Sequence, residues 1–359
     1  MKIALITDTH WGARGDNIAF AEYFNRFYYD YFFPYLKDND IDTIVHLGDI
    51  CDRRKYINYV TARHLRKFVD TCADKDIKLH VIIGNHDTFY KNTNDVNCMT
   101  ELFDHSEHNG KTLFYYPDAK NVNFDGLDIA LLPWVCAGNF DDSMDFLEDT
   151  KSQVLFGHLE IAGFEMYRGS VTDHGFDSKL FQKFDVVCSG HFHHKSTRGN
   201  INYLGAPYEI TWSDWNDDRG FHVFDTDTRQ LTFIANPYRM FHKLHYDDMT
   251  KTLDDVLNID TSAISGSYVK VIIHNKTNPY WFDMFIDKIE KSGVIDLQVV
   301  EDNLNLQLED DEDIASEAED TLTMLKKAAV QAGSNWTETK QNALNTFLSD
   351  LYSEALTVE

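Results

Sequence analysis

Leu79-His80-Val81-Ile82-Ile83-Gly84-Asn85-His86-Asp87 decides the reading of this chain. The first five residues are a short apolar run of the kind that forms a buried strand. The last four gather an amide, an imidazole and a carboxylate at the strand exit. Such groups are costly to bury without strong partners, and metal ions are partners of that strength. Taken alone, Gly, Asn and Asp also make an ordinary turn.

The arrangement recurs. Asp8 and His10 end the run Ile6-Thr7-Asp8-Thr9-His10, and Asp49 ends His46-Leu47-Gly48-Asp49. His158 ends Leu155-Phe156-Gly157-His158, and Gly190-His191-Phe192-His193 closes a fifth run. Ligand sites on open α/β sheets lie at the carboxyl ends of strands. The repetition predicts a metal site, with all these groups on one edge of one sheet.

The chain has 359 residues, 43% of them hydrophobic, enough for one large domain with appendages. There are no internal repeats, and no apolar run approaches the ~18 residues that span a bilayer. The start, Met1 to Thr7, is too short for a signal peptide. The five cysteines are widely spaced and include no CxxC pair, so they read as buried thiols of a reducing cytoplasm. Cys51 and Cys188 lie near the site in sequence, but nothing in the pattern requires them.

The net charge of −26 argues against a general nucleic-acid sponge, though not against an enzyme that acts on nucleic acid. Much of it is segregated: Glu301 to Asp320 holds ten acids and no Lys or Arg. Arg53-Arg54-Lys55 follows Asp49 directly and is a candidate DNA-binding group beside the metals. The alternative is a solvated surface.

Strands are expected over Lys2–Thr7, Ile41–Leu47 and Lys78–Ile83. Helices are expected over Asp16–Leu36, capped by Asp16, and over Ile57–Ala73. This is a parallel βαβα half. A short helix near Val96–Phe103 and a hairpin turning at Asp125-Gly126 follow. Strands near 154–156 and 186–189 deliver His158 and His191. Antiparallel strands are expected over 201–204, 220–225 and 231–235. The fold class is α/β, with two sheets packed face to face and helices outside. The expected division is a catalytic domain over 1–240, a small α+β domain over 241–305, an acidic linker over 306–320 and a helical segment over 321–359.

The candidate ligands are Asp8, His10, Asp49, Asn85, His158, His191 and His193. Seven groups are too many for one ion but suit two that share a carboxylate. Imidazole, carboxylate and amide without thiolate favour manganese, iron or zinc. Two such ions supply an activated water and charge neutralisation for phosphodiester cleavage. His86, the neighbour of Asn85, is the candidate acid for the leaving oxygen.

Asp8-Thr9-His10, Gly48-Asp49-Ile50-Cys51-Asp52, Gly84-Asn85-His86-Asp87, Gly157-His158 and Gly190-His191-Phe192-His193 resemble the five signature blocks of calcineurin-like metallophosphoesterases. The blocks cover residues 1 to 195. Tyr203-Leu204-Gly205-Ala206-Pro207 through Asp218-Arg219-Gly220-Phe221 resembles a segment of SbcD-type DNA repair nucleases. Size and terminal helices look most like the phage version, the recombination endonuclease subunits of tailed phages.

The resemblance implies one metal on Asp8, His10, Asp49 and His193. It implies a second on Asp49, Asn85, His158 and His191, with Asp49 bridging and His86 as acid. It implies manganese-dependent cleavage of DNA, 3′ to 5′ on duplex ends and endonucleolytic on single strands. It also implies a homodimer, paired through helices 57–73 and 96–103 with Tyr59, Leu65, Val96, Met99 and Leu102 in contact. An SMC-like ATPase is the implied partner. One departure stands out: Asp52 occupies a position where some relatives carry a second catalytic His.

Leu344, Phe347, Leu348, Leu351, Tyr352 and Ala355 form one apolar stripe on a helix. Such a helix can pack on its own chain or grip another protein. The resemblance places the base of the ATPase coiled coil there. Two other classes compete with the nuclease reading. One is a phosphoesterase for a small phosphodiester or a phosphoprotein, which needs neither appendage. The other is a structural partner with a dead site, which the complete ligand set disfavours.

Overall fold

The computed structural model describes residues 1–167, 169–301 and 340. Residues 1–210 and 214–301 belong to one compact unit. The acidic linker and nearly all of the C-terminal segment expected from sequence lie outside the described residues. No helix among the described residues is long and apolar enough to cross a membrane.

Two six-stranded sheets form the body. The first runs in the order Leu231–Ala235, Gly220–Asp225, Lys2–Ile6, Thr43–His46, Lys78–Ile82, Leu113–Tyr116. Its last four strands are parallel, and its first two are antiparallel additions. The second runs Ser196–Arg198, Ile201–Tyr203, Val186–Gly190, Val154–His158, Leu127–Leu132, Lys120–Phe124. Its four central strands are parallel. Ile3, Leu5, Val45 and Ile82 from the first sheet pack against Ile129, Leu131, Val154 and Phe156 from the second. These runs are apolar on both faces because each sheet is covered twice.

The outer face of the first sheet is covered by the aromatic helix. It is α-helical over Ile18–Phe27, π-helical over Tyr28–Phe32 and α-helical again over Phe33–Asp38. Its Phe27 and Phe32 rings meet Phe221 of the sheet at 6.3 and 4.8 Å. The outer face of the second sheet holds Leu132, Leu155 and Val187 against Leu147 of the helix Phe140–Asp149. The layers therefore run helix, sheet, sheet, helix.

Four details differ from the sequence expectation. The ligand-bearing strands belong to two sheets, so the ligands meet between two facing edges and do not line one. Ile201–Tyr203 is antiparallel to Ser196–Arg198 as expected but parallel to Val186–Gly190, and the antiparallel strands 220–225 and 231–235 join the first sheet. Asn17, not Asp16, caps the aromatic helix, its side chain accepting from Ala19 N at 2.9 Å. Asp16 is otherwise occupied: it accepts from Arg53 at 3.0 Å and from Thr61 Oγ1 at 2.7 Å. Finally, Leu65 and Met99 are fully buried in this chain's own core and are unavailable to a second copy. They sit on the inward stripes of the helices Tyr59–Asp74 and Cys98–Phe103. Tyr59, 94% exposed, points outward.

Beyond Met240 the chain builds a parallel three-stranded sheet from Phe241–Asp247, Tyr268–Asn275 and Asp296–Glu301. The helices Leu253–Leu257 and Pro279–Glu290 accompany it. It has its own apolar cluster around Tyr246, Val271, Phe282 and Phe285. The buried Glu209 carboxylate anchors its start by accepting the N–H groups of Met240 and Phe241 at 2.6 and 2.9 Å.

Candidate metal centre

Each candidate ligand sits just past, or at the end of, a strand. Asp8 and His10 follow Lys2–Ile6, Asp49 follows Thr43–His46, and Asn85 follows Lys78–Ile82. His158 ends its strand, and His191 and His193 follow Val186–Gly190. The turns are tight. Asp8, His10, Asp49 and His191 all take left-handed backbone, with φ of 51°, 41°, 54° and 87°. Non-glycine residues hold that conformation only where the surroundings enforce it. Gly84 is required by close approach, since a Cβ there would lie 2.3 Å from Asp49 N and Oδ1.

Two groups of ligands form, and they adjoin. In Asp8, His10 and His193, one ligand atom from each lies within 4.8 Å of the others. The same holds for Asp49, His158 and His191. His10 Nε2 and His193 Nε2 oppose each other at 3.0 Å. Asn85 Oδ1 faces His158 Nε2 at 2.8 Å and His191 Nδ1 at 3.0 Å. Asp49 Oδ2 lies 3.3 Å from His158 Nε2 and 3.9 Å from His10 Nε2, so it stands between the groups.

Neighbours fix the directions. His158 Nδ1 donates to the Leu47 carbonyl at 2.8 Å, which aims Nε2 into the site. Asp8 accepts the His191 N–H at 3.1 Å. His86 donates its main-chain N–H to Asp49 Oδ1 at 2.8 Å, and its Nδ1–H to the Asp52 carbonyl at 2.7 Å. Asp52 itself lies 3.5 Å from His10 Nδ1.

The electrostatics ask for positive charge. Burial, with Asp49 nearby, pushes Asp8 up to about 7 against the pull of His158. Burial works against charge on Asp49 too, but His158 and His86 hold its carboxyl well below the usual range. Burial also opposes a charged His158, yet Asp49 raises it to about 9. Burial takes His193 down to about 4 and His10 well below its ordinary value, so both offer lone pairs. Asn85 Nδ2 is buried without a hydrogen-bond partner. Two buried carboxylates, four imidazoles and an amide oxygen thus converge on one another, a donor set that fits divalent cations.

Residues outside the expected list support these. Asp87 accepts three main-chain N–H groups, those of Asp49, Cys51 and Gly84, at 2.9, 3.0 and 2.8 Å. It clamps two ligand loops together. His46 accepts from Gly48 N at 3.2 Å and meets Thr9 Oγ1 at 2.9 Å. Arg219, 4% exposed, donates to the His193 carbonyl and pairs with Asp214 and Asp217. His46 and Arg219 fall within the quoted runs, but their partners, the Gly48 N–H and the His193 carbonyl, are set by the fold. Of the three basic candidates, Arg53 is engaged by Asp16 and by Tyr56, whose hydroxyl accepts at 2.7 Å. Arg54 reaches Thr88 Oγ1 at 3.4 Å, and Lys55 is exposed.

Residues 1–195 match the calcineurin-like phosphoesterase family. The chain belongs to that family. It is 32% identical to exonuclease subunit 1 of Enterobacteria phage T4 over 365 residues, covering 99% of both chains. It is 28% identical to the SbcD component of the SbcCD nuclease from Staphylococcus epidermidis over 153 residues, 38% of this chain and 36% of that one. A dimetal phosphatase from Danio rerio is 12% identical, with a TM-score of 0.34 over 62% of this chain and 91% of the other. This metallophosphoesterase is therefore a phosphodiesterase of the nuclease kind, in a family that uses divalent metals.

Proposed function

We propose that this metallophosphoesterase is the nuclease component of a DNA-processing complex. It cleaves DNA 3′ to 5′ from duplex ends and cuts single strands internally, with manganese as its metal. The observation that carries this reading is the position of Asp49 between two adjoining ligand groups, in a chain similar along its whole length to a phage exonuclease subunit. Asp8, His10, Asp49 and His193 would hold one ion, and Asp49, Asn85, His158 and His191 the other. Two ions there supply an activated water and neutralise charge on the phosphate.

The chain's own residues do the rest. His158 and Asn85 orient through the Leu47 carbonyl and each other. His86, its Nδ1–H committed to the Asp52 carbonyl, exchanges its proton at Nε2 and protonates the leaving oxygen. Asp52, where some relatives have His, lies beside His10 and contributes negative charge to the rim of the site. Arg53, Arg54 and Lys55 are the basic residues beside the site in this reading of DNA binding.

The complex has two further contacts in this reading. Two copies pair through the exposed end of the helix Tyr59–Asp74, where Tyr56, Tyr59 and Val60 present apolar surface. An SMC-like ATPase binds residues 321–359. The test is an assay of the purified protein with Mn2+ on end-labelled duplex DNA and on an aryl phosphodiester. Preference for DNA is expected. Turnover of the small substrate alone would assign the chain to the other branch of the family.

A further inference from the structure

Beyond the two ligand groups above, the described residues hold a third cluster of metal-ligating side chains: Cys51, Asp87 and Cys98. One ligand atom from each lies within 4.8 Å of the others. Cys51 and Asp87 are buried, and Cys98 is half-buried. The Cys98 thiol donates to Asp87 Oδ1 at 3.5 Å, and the Cys51 sulfur lies within 4.8 Å of the Cys98 sulfur.

Two thiols and a carboxylate around one point are a different donor set from the imidazoles and carboxylates of the two-ion centre. Thiolate selects soft ions, zinc and copper(I) among them. The spacing agrees. A tetrahedral zinc with sulfur at ~2.3 Å and oxygen at ~2.0 Å sets those two atoms ~3.5 Å apart. That is the separation of Cys98 Sγ from Asp87 Oδ1.

The other duties of Asp87 do not conflict. Its Oδ2 receives the N–H groups of Asp49 and Gly84, and its Oδ1 that of Cys51. The remaining Oδ1 lone pair faces the Cys98 S–H, so it becomes available to a cation when that proton leaves. The site gathers three segments. Cys51 follows the Asp49 loop, Asp87 follows the Asn85 loop, and Cys98 opens the helix Cys98–Phe103.

We propose that Cys51, Asp87 and Cys98 form a third cation site, selective for a thiophilic divalent ion such as Zn2+. Binding forms two metal–sulfur bonds and one metal–oxygen bond, releases two thiol protons, and changes no oxidation state. The bound ion staples the start of the helix to both ligand loops, directly behind Asp49.

Cd2+ is the probe, because cadmium thiolates give an ultraviolet charge-transfer band that oxygen and nitrogen ligands do not. The full-length protein is loaded with Mn2+ and then titrated with Cd2+. The expected result is a band that saturates at a single Cd2+ per chain. The band should disappear in C98S and in C51S/C98S. Because Cys98 is the less buried thiol, C98S keeps the test decisive should the double variant misfold. C98S should also retain its Mn2+. Absence of the band in the wild-type protein, or its persistence at full strength in C98S, overturns the proposal.

Discussion

Asp49 and His86 are joined through the main chain: Asp49 Oδ1 accepts the His86 N–H at 2.8 Å. The imidazole of His86 is held separately, by the Asp52 carbonyl. Removing that ring leaves the bond to Asp49 in place. His86→Ala should therefore keep both ions while turnover falls by ~10²–10⁴-fold, the usual contribution of a general acid. Metal analysis beside single-turnover cleavage checks this. Loss of metal together with activity would make His86 a ligand.

The metal-free protein should lose stability as pH rises from about 6.5 to about 9. The unfolded chain releases the His158 proton near 6.5, but the fold keeps it up to about 9. The stability it contributes is complete below the lower value and is lost through the upper one, at ~1.4 kcal/mol per proton per pH unit at most. Asp8, raised from 3.8 to about 7, has the same sign, but its loss runs from pH 3.8 to about 7 and is nearly complete where this window opens. His10 and His193, both depressed, are neutral in both states above 6.5 and do not oppose this. Thermal melts in chelator should show the fall, and saturating Mn2+ should abolish it, because the ion replaces the protons. A metal-free melting temperature that climbs over this range contradicts the assigned electrostatics.

Arg219 supports His193 from behind, and it is buried with its acidic partners Asp214 and Asp217. Arg219→Met removes the guanidinium that pairs with the buried Asp214, and breaking a buried ion pair typically costs ~3–5 kcal/mol. The variant should melt lower and bind Mn2+ more weakly. Unchanged metal affinity in a destabilised variant would confine Arg219 to a structural role.

The strand-end groups are legible in the sequence because each apolar run stops at a polar residue that burial alone does not tolerate. What periodicity does not carry is the partner of each strand. Val154–His158 and Lys78–Ile82 look alike as runs, yet they lie in facing sheets. An apolar stripe likewise does not say what covers it, which is why Leu65 and Met99 suggest an interface from sequence and lie inward in the fold. The cap of the aromatic helix differs from expectation by one residue. Asp16 and Asn17 are both good caps, and only the distant Arg53 and Thr61 decide that Asp16 is taken. Asp87 stands out in the sequence as a strand-exit carboxylate, but that its partners are the main-chain N–H groups of Asp49, Cys51 and Gly84 is set by the fold, as is the reach of Arg219 to the His193 carbonyl.

The proposed ATPase contact rests on the apolar stripe at Leu344, Phe347, Leu348 and Leu351. Deleting residues 308–359 should leave a metal-loaded phosphoesterase that no longer co-purifies with its ATPase. Co-purification in full yield would refute the assignment.

The central claim is that Asp49 joins two ions into one DNA-cleaving centre. The most direct measurement is bound Mn2+ and duplex-end digestion in the wild-type protein and in Asp49→Ala, each purified as a folded species. The account predicts two ions and digestion in the first, and loss of both in the second. Digestion by Asp49→Ala at the wild-type rate would contradict it.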